Sequence, residues 1–259
     1  MGARAPIAFV TGARRGIGRG IACALADAGF DIVVNDVVDD AATRETLDAI
    51  RDKGRRVAFV PGSIADIAAH ATLVDLAFGA FGPLDCLVNN AGIQVKIRGD
   101  LLDVTPASFD EILAVNLRGT FFLTQAVARR MLGETRASGD PPRSIVTISS
   151  ANAHLVSTNR AEYCIAKTGL AMMSQLFAVR LAADDIACFE IRPGVIRTDM
   201  TAPARERYDK LIAEGLTPIR RWGEPEDVGR TVVALAERRL PFNTGDTFNV
   251  DGGLHVRQL

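Results

Sequence analysis

Short apolar runs alternate along this chain with longer stretches whose apolar residues recur every three or four positions. The runs Ile7–Thr11, Asp31–Asp36, Val57–Pro61, Leu84–Asn89, Ser144–Ser149, Ile186–Arg192 and Asp246–Val250 are rich in Val, Ile and Phe. Such continuous apolar character predicts strands buried on both faces. Between them, Gly16–Ala28, Ala41–Lys53, Ile67–Phe78, Ser108–Met131, Ala161–Ala183 and Glu226–Glu237 carry helical spacing. The alternation predicts an α/β fold: one doubly wound domain over residues 1–259, with a seven-stranded parallel sheet and helices on both faces. Two segments break the rhythm. Leu132–Arg143 is polar and contains Gly and Pro, which predicts a surface loop. Thr198–Trp222 is too long for an ordinary connection and predicts one or two short helices forming a lid over a substrate site.

Composition narrows the function classes. The chain has 259 residues, 48% hydrophobic and 24% charged, with a formal net charge of -1. Its basic pairs, such as Arg14-Arg15 and Arg55-Arg56, are short and scattered among carboxylates, which argues against a nucleic-acid partner. Cys23, Cys86, Cys164 and Cys188 are widely spaced without a Cys-x-x-Cys, as expected of thiols in a reducing, cytoplasmic compartment. Neither a signal-peptide pattern nor a run of roughly 18 apolar residues is present, so no membrane association is expected. No His, Cys and carboxylate cluster has metal-ligand spacing, and no metal is expected.

Chemistry enters at Thr11-Gly12-Ala13-Arg14-Arg15-Gly16-Ile17-Gly18, between the first strand and the first helix. Glycines there allow a tight turn and close approach to a pyrophosphate, and the helix N-terminus offers N–H groups and a positive dipole end. This marks the domain as Rossmann-type. Eighteen residues after Gly18, the second strand ends at Asp36. A carboxylate there accepts from ribose hydroxyls and repels a 2′-phosphate, which favours NAD. NADP stays open, because Arg14 or Arg15 could neutralise Asp36 or pair with a phosphate.

A second constellation is Tyr163-Cys164-Ile165-Ala166-Lys167, with Ser150 thirteen residues before the tyrosine. One helical turn puts Tyr163 and Lys167 on one face. A nearby ammonium stabilises a phenolate, and each unit of depression below the usual pKa near 10 corresponds to about 1.4 kcal/mol. The pair therefore points to proton transfer at an oxygen.

Together these motifs resemble the short-chain dehydrogenase/reductase family over nearly the whole chain. Its Thr-Gly-x-x-x-Gly-x-Gly turn matches Thr11 to Gly18, and its Asn-Asn-Ala-Gly motif matches Asn89 to Gly92. Its catalytic Asn, Ser, Tyr and Lys match Asn116, Ser150, Tyr163 and Lys167, and its Pro-Gly segment matches Pro193 to Thr198. The resemblance implies reversible hydride transfer between nicotinamide and a CH–OH or C=O carbon. Tyr163 is then acid/base, Lys167 lowers its pKa and holds the nicotinamide ribose, Ser150 donates to the substrate oxygen, and Asn116 holds a water. Cofactor contacts are implied at Gly12, Arg14, Arg15, Gly16, Ile17, Gly18 and Asp36, and at Ser63, Ile64, Asn90, Ala91 and Gly92. They are implied also at Pro193, Gly194, Ile196 and Thr198. Ser63-Ile64 departs from the Asp-Val that often holds adenine.

Pro218 to Val228 and the segment Asn249 to Gly253 resemble the 3-oxoacyl-carrier-protein reductase and sugar dehydrogenase branch, which implies a homotetramer. Where the carrier-protein reductases tend to place arginines that grip an acidic carrier, this chain has Pro141 and Asp184. The expected pocket instead offers Gln94, Lys96, Arg98 and Asn152, with His154, Asn159, Arg160 and Arg197 beside them. That donor-rich set favours a polar or anionic small molecule such as a sugar or sugar acid. A 3-oxoacyl thioester reductase is the alternative within the class, and a non-catalytic dinucleotide-binding sensor the alternative outside it.

Overall fold

Strands form at the seven apolar runs, and both faces are buried in the central strands but only partly in the two edge strands. In the computed structural model, which describes residues 4–256, these are β1 (Ile7–Thr11), β2 (Asp31–Asp36), β3 (Val57–Pro61), β4 (Cys86–Asn89), β5 (Arg143–Ile148), β6 (Ile186–Pro193) and β7 (Thr247–Val250). They make one sheet in the order β3-β2-β1-β4-β5-β6-β7, and every pairing is parallel. Period-2 alternation sends Ala8, Val10, Phe189 and Ile191 into one core and Ile7, Phe9, Ile186 and Cys188 into the other.

The first core is roofed by α1 (Gly16–Asp27) and α8 (Pro225–Ala236), the second by α3 (His70–Phe81) and α5 (Thr120–Gly133). The remaining helices are α2 (Ala41–Arg51), α4 (Pro106–Leu113), α6 (Ala161–Leu181) and α7 (Arg205–Ala213). This is the expected seven-stranded, doubly wound α/β architecture. The first strands change order between β1 and β4, and the ends of those strands open the crevice in which such folds bind ligands.

The helix expected over Ser108–Met131 is interrupted. It starts at Pro106, with the Thr105 hydroxyl capping Ser108 N at 3.2 Å, and passes through a π turn at Ala114–Gly119 before resuming as α5. The turn is wedged against the segment that follows β3: a Cβ on Gly119 would stand 2.3 Å from the Ile64 carbonyl oxygen. A wider turn lets the backbone pass there, and π turns of this kind concentrate at functional sites. The Thr198–Trp222 segment carries a 3-10 turn at Ala202–Ala204 followed by α7. Among the described residues, no helix is long and apolar enough to cross a membrane, and no three His, Cys, Asp or Glu side chains gather as a metal site. All four cysteines are unpaired.

Candidate active site

The glycine turn between β1 and α1 is shaped by two left-handed residues, Gly12 at φ 63° and Gly16 at φ 56°. Gly18 is fixed by contact: a Cβ there would lie 2.2 Å from the Gly12 carbonyl oxygen. The Thr11 hydroxyl accepts from Asn90 N at 3.0 Å and Ala91 N at 3.1 Å, while Asn90 Nδ2 donates to the carbonyls of Thr11 and Gly12 at 3.0 and 2.9 Å. Asn90 and Ala91 thus brace the turn from β4, and the Asn90 amide nitrogen is spent on that task. The N-cap of α1, Arg15, supplies no side-chain acceptor to the first turn. Free N–H groups over a glycine cradle fit a pyrophosphate.

At the end of β2, Asp36 accepts from Val37 N at 2.8 Å and from Arg14 N at 3.2 Å. The Arg14 guanidinium bonds to Asp40, the N-cap of α2, and its Nε lies 3.7 Å from Asp36, buried without a hydrogen-bond partner. Two carboxylates therefore share one guanidinium, leaving a net negative corner with an acceptor and an orphaned donor. An acceptor and an orphaned donor in that corner fit the hydroxyls of a ribose. Arg15 instead meets Asp199 at 3.3 Å, across the trough. Ser63 Oγ is used by Ala65 N at 3.2 Å, and buried Ile64 offers its carbonyl to His70 Nε2 at 2.7 Å. Asn35, which pattern reading overlooks, ties the rim together by donating to Val60 O and Gly62 O, both at 3.0 Å.

The far wall comes from the end of β6. Gly194 N donates to Val250 O at 3.0 Å, and Gly194 lies so close to Asp251 that a Cβ would stand 2.7 Å from its Cα. Buried Ile196 bridges to Gly223, and its carbonyl takes the Thr201 hydroxyl at 2.8 Å. The Thr198 side chain stands opposite Gly16, 3.5 Å from where a Cβ would project. Turn and Thr198 thus face each other across the crevice.

Ser150, Tyr163, Lys167 and Asn116 converge at its floor. Ser150 lies two residues beyond β5 and caps a short turn, accepting from Asn152 N at 3.1 Å. Tyr163 is 8% exposed and Lys167 4%, one turn apart on α6. Lys167 Nζ donates to the Ile148 carbonyl at 3.1 Å and lies 5.6 Å from the Tyr163 ring centroid. Asn116 lies in the π turn, where its amide clamps the Ile93 backbone through bonds of 2.9 and 2.8 Å. A Cβ on Gly92 would touch Asn116 Oδ1 at 3.3 Å and Lys167 Nζ at 3.6 Å, so this loop, lysine and asparagine are in register.

In the free chain, Lys167 is not among the groups that oppose burial of the Tyr163 phenol. Burial raises the phenol above its usual value, and the groups opposing burial are Ser150, by hydrogen bond, then Arg160 and Arg98. Lys167 is itself pushed down to about 8 by burial, with the Glu190 carboxylate opposing that shift. Its ammonium is tethered to a strand carbonyl rather than to the phenol. Motif spacing does not mark Glu190, although an acid inside the apolar run Ile186–Arg192 is a visible signal.

The expected substrate residues separate into groups. Lys96 is neutralised by Glu111 at 2.7 Å, and Arg197 by Glu224 at 3.0 Å while it stacks on Trp222. Asn152 Nδ2 is used by Leu155 O at 2.9 Å and Asn159 Oδ1 by Ser157 Oγ at 3.0 Å. His154 lines a cavity of about 200 Å³ with Ala151, Arg192, Asn249 and His255, and Tyr163 is not in its wall. Arg160 lies 5.6 Å from the Tyr163 ring centroid, and neither Arg160 nor Arg98 has a carboxylate within ion-pair distance among the described residues. Gln94 Oε1 is buried without a partner.

Fold and glycine cradle together define a dinucleotide-binding α/β protein. The family model for enoyl-(acyl carrier protein) reductase matches residues 12–255. A 2-dehydro-3-deoxy-D-gluconate 5-dehydrogenase of Dickeya dadantii is 32% identical over 253 residues, covering 97% of this chain and 96% of that protein. The crystal structure of a 3-oxoacyl-[acyl-carrier protein] reductase from Brucella melitensis in complex with NAD superposes with a TM-score of 0.95 at 48% identity, covering 100% of both chains. A putative 2-deoxy-D-gluconate 3-dehydrogenase from Agrobacterium tumefaciens with bound NADP gives a TM-score of 0.85 at 33% identity over 97% of each chain. The chain belongs to the short-chain dehydrogenase/reductase family of oxidoreductases.

Proposed function

We propose that this chain is an NAD-linked dehydrogenase/reductase acting on a polar, anionic hydroxy or keto compound of the sugar-acid class. The observation that carries the substrate class is the pair Arg160 and Arg98, cations without carboxylate partners acting on Tyr163. Guanidinium groups with free donors match a substrate carboxylate. The sugar-acid relatives from Dickeya and Agrobacterium support the same class.

The nicotinamide, when bound, supplies or accepts the hydride. Tyr163 moves the proton: burial holds the phenol protonated, the form that donates to a carbonyl oxygen in reduction. Ser150, Arg160 and Arg98 pull toward the phenolate that takes the hydroxyl proton in oxidation. Ser150 lies where it can donate to the oxygen whose charge changes. Lys167 binds the ribose beside Gly92, and the Asn116 clamp on Ile93 keeps that loop against it. The Asp36, Asp40 and Arg14 corner takes the adenosine ribose and favours NAD. The 198–222 segment closes over the substrate.

The relative from Brucella favours a second reading, reduction of a 3-oxoacyl thioester. Initial rates with NAD⁺ and NADP⁺ against sugar acids, the matching neutral sugars and 3-hydroxyacyl thioesters separate the two. The sugar-acid reading expects acids to exceed neutral sugars, and Arg160→Gln to raise KM for the acid alone. Turnover confined to thioesters overturns it.

The assembly is a homotetramer on this reading. On α6, Ile165, Met172, Leu176 and Val179 form an exposed apolar stripe at helical spacing, with Val179 84% exposed. A stripe of that kind marks an association surface, and a second copy presents the same one. Four free thiols suit a cytoplasmic setting.

A further inference from the structure

Glu190 is an acid in a strand that otherwise reads as core. It is 1% exposed in β6, opposite Thr147 of β5 and Thr247 of β7. Thr247 Oγ1 donates to it at 2.8 Å, Arg192 Nε and Nη2 at 2.8 and 2.9 Å, and Ser149 Oγ donates as well. This carboxylate takes no part in the proton or hydride transfer proposed for the site. Yet Lys167 Nζ is bound to the carbonyl of Ile148, which pairs with Ile191, the residue after Glu190. Ammonium and carboxylate are thus anchored at adjacent positions of the same two strands.

We propose that Glu190 is a positioning residue whose fixed negative charge keeps the Lys167 ammonium in place and charged, and that Arg192, by balancing part of that charge, sets how strongly Lys167 feels it. The proposal rests on the reading of Lys167 as part of the acid/base site. Burial favours neutral Lys167, and Glu190 is the charge that opposes it. Other groups nearby do not replace it. Tyr163, on the same helix, is neutral while protonated. Glu162, also buried on α6, is turned to Ser108 on α4 at 2.6 Å. Asn116 and Gly92, against the ammonium, carry no charge. Beyond Arg192 lie His154 and His255, the latter held by Asp251 at 2.8 Å.

The two residues have opposite signs, and this separates an electrostatic role from a structural one. Removing Glu190 should make Lys167 easier to deprotonate; removing Arg192 should make it harder. Loss of packing or of hydrogen bonds gives no reason for opposite shifts. The chain has only Lys53, Lys96, Lys167 and Lys210, so the ¹³Cε signals of isotopically labelled lysine can be assigned with Lys167→Arg as reference. The probe is the unliganded full-length protein, titrated from neutral to alkaline pH.

Wild type should show one lysine midpoint near 8. Glu190→Gln should lower it by roughly 0.5–1 pH unit, Arg192→Gln should raise it, and Glu190→Asp should stay near wild type. An unchanged Lys167 midpoint in Glu190→Gln, or a downward shift in both Gln variants, overturns the proposal. If Glu190→Gln does not fold, as judged by circular dichroism, Arg192→Gln decides: an upward shift supports the proposal and any other result refutes it. Turnover plays no part in this readout, so failure of the proposed reaction leaves the result legible.

Discussion

Lys167 gives the sharpest quantitative test of the site. A lysine whose folded pKa is about 8, against 10.5 for a free one, binds its proton less tightly in the folded chain than in the unfolded chain. Between those two values the unfolded chain holds a proton that the folded chain lacks, so stability rises with pH across the window. The gap corresponds to about 3 kcal/mol of destabilisation, fully present below pH 8 and relieved as pH approaches 10.5. Lys167→Met removes the buried charge with little change of shape. It also removes the bond to the Ile148 carbonyl, a loss of about 1 kcal/mol. The variant should therefore be more stable than wild type by about 2 kcal/mol at pH 7, a rise in Tm of about 5 °C. That advantage should vanish, and about 1 kcal/mol reverse, toward pH 10.5. Urea melts of both proteins at several pH values measure the difference, and ionisations common to the two cancel. A variant less stable than wild type at pH 7, or a difference that does not change with pH, refutes the reasoning.

Three further outcomes are expected. Tyr163→Phe should lower turnover by about 10²–10⁴-fold while NADH binding, followed by fluorescence, stays close to wild type. Asp36→Asn should raise the ratio of NADP to NAD kcat/KM by about tenfold, because one carboxylate of the two on Arg14 is lost; an unchanged ratio contradicts the assignment of that corner. Val179→Glu on the apolar stripe of α6 should shift the assembly to smaller species in analytical ultracentrifugation.

What could be read from the chain depended on whether the signal was local. Apolar runs mark all seven strands, most continuously in the central ones, where burial on both faces demands Val, Ile and Phe, while the edge strands β3 and β7 are only partly buried. The glycine turn is legible for a related reason: positive φ at Gly12 and Gly16 leaves few alternatives to glycine. The π turn is different. Residues 114–119 keep helical composition, and the interruption arises where Gly119 meets the Ile64 carbonyl, a contact between segments more than fifty residues apart. Arg14 and Asp36 were both visible, but their relation was not, since Asp40 completes the arrangement only once α2 is docked.

The same distinction accounts for the acid/base pair. Helical spacing correctly places Tyr163 and Lys167 one turn apart, and from spacing alone the natural inference is that the ammonium acts on the phenol. In the free chain, strand register gives the ammonium another partner. With Ile148 paired to Ile191, a β5 carbonyl captures Nζ and Glu190 is set beside it in β6, while Arg160 and Arg98 are left to act on the tyrosine. Lysine and tyrosine therefore have different partners in the free chain, the lysine in the sheet and the tyrosine in Ser150 and the segments that carry Arg160 and Arg98. Mutating the Glu190 and Arg192 pair should consequently move Lys167 without moving the substrate preference, and mutating Arg160 should do the reverse. A variant at either place that changed both properties together would show that the two networks are one.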